Sequence, residues 1–138
     1  MKLSQDEADR LLSQHDHGVL ATVHPDRGAD AVPVVYVVVD GHVGIPVDRV
    51  KPKASTTLRR ERNLDLDPRA TLLVEHWNRD DWSALWWVRA SLSRVEAPTL
   101  EPRIAGELGR RFAQYRDQPF ERLLVFRVVE ATGWSGAG

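Results

Sequence analysis

The chain has 138 residues, enough to bury a real core in one domain (residues 1–138) and too few for two. Nineteen basic residues against 20 acidic ones leave a net charge of −1, without the basic excess of a nucleic-acid binder, and the absence of cysteine excludes disulfides, thiolate metal sites and cysteine nucleophiles. No apolar run approaches the roughly 18 residues of a membrane helix, and MKLSQDEADR lacks a signal-peptide core, so the expectation is a soluble cytoplasmic protein.

Ser4-x-x-Glu7 is a capping-box pattern with Leu3 as a staple residue, and Ala8, Leu11 and Leu12 form an apolar stripe, which predicts a helix from about Ser4 to Gln14. Gly18 to Val23 reads as a first strand, followed by turn chemistry at His24-Pro-Asp-Arg-Gly28. Ala31 to Val39 reads as a second, mostly apolar strand. Asp40-Gly41 signals a hairpin into a third strand, HVGIPV.

From Val47 to Arg69 the sequence VDRVKPKASTTLRRERNLDLDPR describes an anion cradle at a strand-to-helix junction. Lys51 and Lys53 supply charge, Pro52 restricts the loop, and Ser55 or Thr56 is the expected N-cap of a short basic helix ending at an asparagine. A phosphate suits the first N–H groups of such a helix, although a solvated basic helix after a turn explains the same residues. Arginine greatly outnumbers lysine, and Lys2 is the only other lysine, which singles out this pair.

Ala70 to Trp77 reads as strand four and Leu85 to Val95 as strand five, with Asn78–Asp81 as a polar turn between them. Strand five separates Trp86, Val88, Ala90 and Leu92 on one face from Trp87, Arg89, Ser91 and Ser93 on the other. Thr99 is the expected cap of a second long helix carrying Ile104, Leu108, Phe112 and Tyr115 at core spacing. Leu123 to Thr132 is a sixth strand, with the tail fraying beyond Trp134. The expected fold is mainly β with α (α+β): six antiparallel strands closed into a small barrel, with about three helices.

Five histidines show no metal-ligand spacing, and neither a G-x-S-x-G nor a Walker A motif is present. The lack of a nucleophile and base fits chemistry carried by a bound cofactor. Trp77, Trp82, Trp86 and Trp87 crowd one hairpin, and each indole N–H needs a partner, so exposed ones suit a dimer interface or a planar ligand.

The segment from Val32 to Trp77, with DWSALWWVRASLSRV after it, resembles the pyridoxamine 5′-phosphate oxidase-like split β-barrel (flavin-reductase or FMN-binding-like) proteins, and among them the class that uses the deazaflavin coenzyme F420. The resemblance spans nearly the whole chain and rests on the K-P-K, N-L-x-x-D-P-R and W-W-V-R runs in combination. It implies a homodimer with two interface sites built from both chains. It implies that Lys53, flanked by Lys51 and Ala54, binds the cofactor phosphate beside Ser55, that Pro33, Val34 and Val35 line the ring, and that Ile45 and Pro46 lie beside it. Trp77 and the partner's Trp86 or Trp87 would close the far side, and Arg59 or Arg89 would stabilise developing charge. Proline at 46 departs from the FMN members, where a threonine commonly follows an aromatic residue, and removes a hydroxyl and an N–H. The implied activity is an oxidoreductase passing a hydride from F420 to a small conjugated substrate. The alternatives are an FMN-binding relative of the oxidase, a non-catalytic flavin or F420 storage protein, and a dimeric module with a decayed site; haem ligation by His42 or His76 is a further one. True oxidase activity is disfavoured because the C-terminal run lacks an R-L-x-P-type ending.

Overall fold

The computed structural model describes residues 1–48 and 58–137. Ser4 caps the first helix, α1 (Gln5–Gln14), as its capping box predicts: Glu7 N–H donates to Ser4 Oγ, and the Glu7 carboxylate accepts from Ser4 N–H. Strands β1 (His17–His24) and β2 (Gly28–Val35) follow as a hairpin, then β3 (Val37–Val39), β4 (His42–Asp48), α2 (Arg59–Leu66), β5 (Arg69–His76), β6 (Trp86–Arg94), α3 (Glu101–Arg111) and β7 (Phe120–Ser135). Short 3-10 turns occupy Trp82–Ala84 and Ala113–Tyr115.

All seven strands form one antiparallel sheet in the order β2-β1-β5-β6-β7-β4-β3, curled into a half-barrel with three helices. The expected second strand is in fact two. It breaks at Tyr36, whose N–H turns aside to bond Asp16 O at 2.9 Å, while its phenol, fully buried, donates to Leu12 O at 2.5 Å. One residue therefore carries the chain from one sheet edge to the other, and the expected closed barrel of six strands becomes a split half-barrel of seven. An unbroken apolar run gives no sign of such a break, because apolar β-branched residues continue through both pieces, although β3 buries Val37 and Val39 while β2 buries only Val34.

β7 curls the sheet. Its residues Phe120–Arg127 pair with β4, and Phe126–Ser135 pair with β6, with a register shift at Ser91/Leu92. Inside lie Leu20, Tyr36, Ile45, Leu72, Val74, Val88, Leu124 and Phe126, capped by Ala8 and Leu12 of α1. A second cluster joins Ile104 and Leu108 of α3 to Val37, Val39 and Val125. Each such aliphatic or aromatic side chain contributes about 1.5–3 kcal/mol on burial.

Several boundaries differ from those expected. α2 starts at Arg59 with Leu58 at the N-cap position, not at Ser55 or Thr56, and the Glu61 carboxylate accepts from Leu58 N–H at 3.3 Å. It runs past Asn63 to Leu66 because Asn63 and Leu64 are buried against the sheet. α3 has Leu100, not Thr99, at its cap position; Phe112 and Tyr115 lie beyond its end. Ser135 remains within β7, and Gly136 N–H bonds Leu85 O at 2.8 Å, so the strand continues past Trp134. No helix among the described residues is long and apolar enough to cross a membrane.

Gly44 shows how closely α3 packs on β4: a Cβ there would sit 2.4 Å from Ile104 Cγ2. Gly44→Ala is expected to lower stability by about 1–3 kcal/mol, the usual cost of overpacking. Urea unfolding should also show the penalty shrinking in an Ile104→Ala background, where the clashing methyl is gone.

Candidate functional site

The split leaves an opening between β2 and β4. Beyond Gly44, β4 has β7 on one side and, among the described residues, no ladder partner on the other. Pro33, Val34 and Val35 of β2 and Ile45, Pro46 and Asp48 of β4 wall a cavity of about 450 Å³, completed by His17, Leu58, Arg60 and Tyr115. Five of the residues singled out in the sequence, Pro33, Val34, Val35, Ile45 and Pro46, are thus brought together. Lys51, Lys53, Ala54 and Ser55 fall within residues 49–57, outside the described residues. Asp48 and Leu58, the described residues on either side of that segment, both line the wall.

The charged end of the cavity is built by α2 and the turn after α3. Arg60 is half-buried, and burial pushes its guanidinium pKa down against the charges of Glu61, Asp48 and Tyr115. Its Nε is buried and finds no hydrogen-bond partner among the described residues. The Tyr115 hydroxyl donates to Asp48 Oδ2 at 2.5 Å, and its ring is held edge-on between Phe112 and Phe120, at 5.7 and 5.1 Å. Burial first, and the Asp48 carboxylate second, raise the Tyr115 pKa well above its ordinary value. α2 is anchored behind this wall by Glu61, only 6% exposed, which accepts from Arg122 Nε and Nη2 at 2.7 and 2.9 Å. Burial alone would raise the Glu61 pKa; the bonds from Arg122 and Leu58 N–H outweigh it and lower the pKa.

The other sequence candidates lie elsewhere. Arg59 turns away from the cavity, contacting His24 and lying 3.8 Å from Asp30. There it joins a polar network in which buried Asn63 donates to Thr22 Oγ1 at 2.9 Å and to Asp30 Oδ2 at 2.8 Å. Trp86 packs on the core, its ring 4.5 Å from His15 and 6.4 Å from His76. Trp77 is exposed at the hairpin end, 5.5 Å from Trp82. Trp87 faces outward beneath the Arg89 guanidinium, 5.4 Å from the ring, and lines a second cavity of about 780 Å³ with Val19, Ala21, Ala31 and Leu73. His17 borders both cavities. Among the described residues no cluster of His, Asp or Glu could hold a metal ion.

His17, Asp48, Arg60 and Tyr115 escape a reading of the sequence. Tyr115 has core spacing, Arg60 is one of several arginines in a basic helix, and only the fold brings them to Asp48. Apolar walls with a cation and an acid–phenol pair at one end suit a planar, polar-edged molecule.

Compared with known proteins, the sequence matches no family model and no curated protein. Its fold has solved counterparts. An FAD-binding protein from Mesorhizobium loti superposes with a TM-score of 0.67 at 17% identity, covering 96% of this chain and 95% of that one. An FMN-binding protein from Syntrophomonas wolfei gives 0.66 at 17%, covering 95% and 86%. The haem storage protein HutZ from Vibrio cholerae gives 0.64 at 15%, covering 93% and 91%. The neighbours are thus flavin- and haem-binding proteins and pyridoxamine-phosphate-oxidase-like split barrels, and this chain shares their fold.

Tyr115→Phe removes the donor to Asp48 and should cost about 1.5–3 kcal/mol at neutral pH, the scale of a hydrogen bond to a charged group. Because the folded protein raises this phenol's pKa, its contribution is complete below about pH 10 and declines as pH climbs above it, where the unfolded chain ionises first. Denaturant midpoints measured up to pH 11 should therefore fall less steeply for the variant than for the parent.

Proposed function

We propose that this protein is an F420-dependent (deazaflavin) oxidoreductase that acts as a homodimer and delivers a hydride to a small conjugated substrate. One observation carries the reading: the split between β2 and β4 gathers the predicted ring-lining residues around a half-buried arginine whose Nε lacks a partner among the described residues. An unpaired buried donor is costly, and a ligand acceptor or bound water would relieve it. The residues fit such a cofactor. Main-chain atoms of Pro33, Val34 and Val35 would meet the ring edge, Ile45 and Pro46 its face, and Lys51, Lys53, Ala54 and Ser55 its phosphate, with Arg60 alongside.

A reduced deazaflavin, when bound, supplies the hydride. The chain supplies position and dryness. Ile45 and Pro46 are buried and apolar, so they exclude water from one face. Pro46 offers neither N–H nor hydroxyl, which suits a deazaflavin better than FMN in its usual pose. The dimer would form on the outer sheet face, where Val19 and Leu73 are 37% and 39% exposed beside Trp87. That face continues to the cofactor cavity across the Val19↔Pro33 pair and His17, so a second copy seated there would complete the site. A flavin-binding or storage role is the second reading, favoured by neighbours that are themselves described as FAD-binding, FMN-binding and haem storage proteins.

Side-by-side titrations with F420 and FMN, read by tryptophan quenching, test the proposal. Tight binding of F420 alone is expected, and Lys53→Ala should weaken it by about 1.5–3 kcal/mol. Preference for FMN would favour the second reading, and binding of neither would remove both. Sedimentation should show a dimer that Leu73→Glu converts to monomer.

A further inference from the structure

We propose that His17 is the proton donor of this site, the residue that protonates the substrate as hydride is delivered; the inference rests on the oxidoreductase reading above. Among the described residues, His17 alone lines both the cavity between β2 and β4 and the outer cavity of the sheet, so it stands at the mouth of the cofactor cavity, where the proposed dimer face begins.

Its imidazole is uncommitted among the described residues. The other four histidines have local partners. His15 Nδ1 donates to Leu11 O at 2.8 Å, His24 Nδ1 accepts from the N–H groups of Asp26 and Arg27 at 3.0 Å, His42 Nδ1 donates to Asp40 O at 2.7 Å, and His76 stacks on Trp86. The exposed ring of His17 makes no hydrogen bond or ion pair with any described residue.

Its backbone, in contrast, is pinned. His17 pairs with Val35 in the β1–β2 ladder, and the preceding Asp16 carbonyl accepts from Tyr36 N–H at 2.9 Å. Arg111 donates to Ser13 O at 3.2 Å and to His15 O at 3.5 Å, and lies 3.8 Å from the Asp16 carboxylate. The fixed main chain holds the imidazole at the mouth of the cavity, and both ring nitrogens are left without a partner among the described residues.

Among the described residues no other group in the cavity fills the role. Arg60 does not release its proton near neutral pH, and the Tyr115 hydroxyl is committed to Asp48. The charged and titratable groups sharing the two cavities with His17 are Glu75 of β5, Arg89 of β6, Asp48 of β4, Arg60 of α2 and Tyr115, with Asp16 and Arg111 behind its backbone.

The step balances as follows for a double bond conjugated to a carbonyl. A reduced deazaflavin, when bound, would supply hydride to the far carbon, with the C=C pair shifting toward the carbonyl and the C=O pair moving onto oxygen. Imidazolium N–H transfers its proton to that oxygen, giving the enol and a neutral imidazole that water reprotonates. The substrate gains two electrons and the deazaflavin loses them.

The test compares parent, His17→Gln and His17→Asn. Glutamine and asparagine keep a donor but cannot exchange protons near neutrality. First, 4-nitrophenol, whose phenolate imitates an enolate oxygen, is titrated into protein loaded with oxidised F420 at pH 5 to 9. Second, reduced F420 is mixed with 2-cyclohexenone in single-turnover runs. Both variants should still bind F420, bind 4-nitrophenol more weakly than the parent does, and reduce the enone roughly 10²-fold more slowly. Parent-like nitrophenol profiles and rates in both variants would overturn the role of His17 while leaving the cofactor reading intact. Failure of the parent itself to bind either F420 or FMN would overturn the cofactor reading, and the role of His17 with it.

Discussion

A single residue, Tyr36, joins the two edges of the sheet, and the rest of the architecture depends on how it is held. Its phenol is buried and donates to the last turn of α1, and its N–H bonds the segment just before β1. Breaking either bond would leave a buried polar group unpaired, so the crossing point is fixed relative to α1 and β1. β2 and β3 then have to diverge to opposite edges, and the sheet curls without closing. The two prolines on the gap belong there physically. Pro33 lies on an edge strand and Pro46 on the part of β4 with a single ladder partner, positions where a missing N–H costs little.

α2 turns this gap into a site with two chemically distinct sides. Consecutive residues on a helix point about 100° apart. Arg59 therefore reaches the His24–Asp30–Asn63 network while Arg60 reaches the cavity, although the sequence presents them as a uniform basic pair. The helix keeps its orientation through the Glu61–Arg122 pair. Burying a carboxylate is costly, and two short charge-assisted bonds from one guanidinium are what make it tolerable here. Such a pair adds less to net stability than to orientation, and orientation is what places Arg60 and Leu58 on the cavity wall.

The two cavities read as one continuous surface interrupted by an edge strand. Apolar residues on the outer faces of β1, β5 and β6 lead through His17 to the walls of β2 and β4. A protein that covered the outer face would place its own residues at the mouth of the inner cavity. Ligand binding and association would then share contacts, which is how an interface site couples the two.

Much of this was legible beforehand, for identifiable reasons. The α1 cap and the alternating faces of β6 follow from local chemistry, since capping boxes and period-2 patterns depend only on neighbours in the chain. The grouping of Pro33–Val35 with Ile45 and Pro46 came through resemblance, and the fold does bring them together. The break at Tyr36, the later start of α2, the divergence of Arg59 and Arg60, and the meeting of His17, Asp48 and Tyr115 were not legible. Each depends on contacts between residues far apart in the chain: Tyr36 with Leu12, Glu61 with Arg122, Tyr115 with Asp48. The sequence by itself determined element types, their order and the apolar faces, because these are set by side-chain periodicity and capping. Only the tertiary structure decided where the sheet splits and which polar side chains meet there, because burial and long-range hydrogen bonds exist only once the chain has folded.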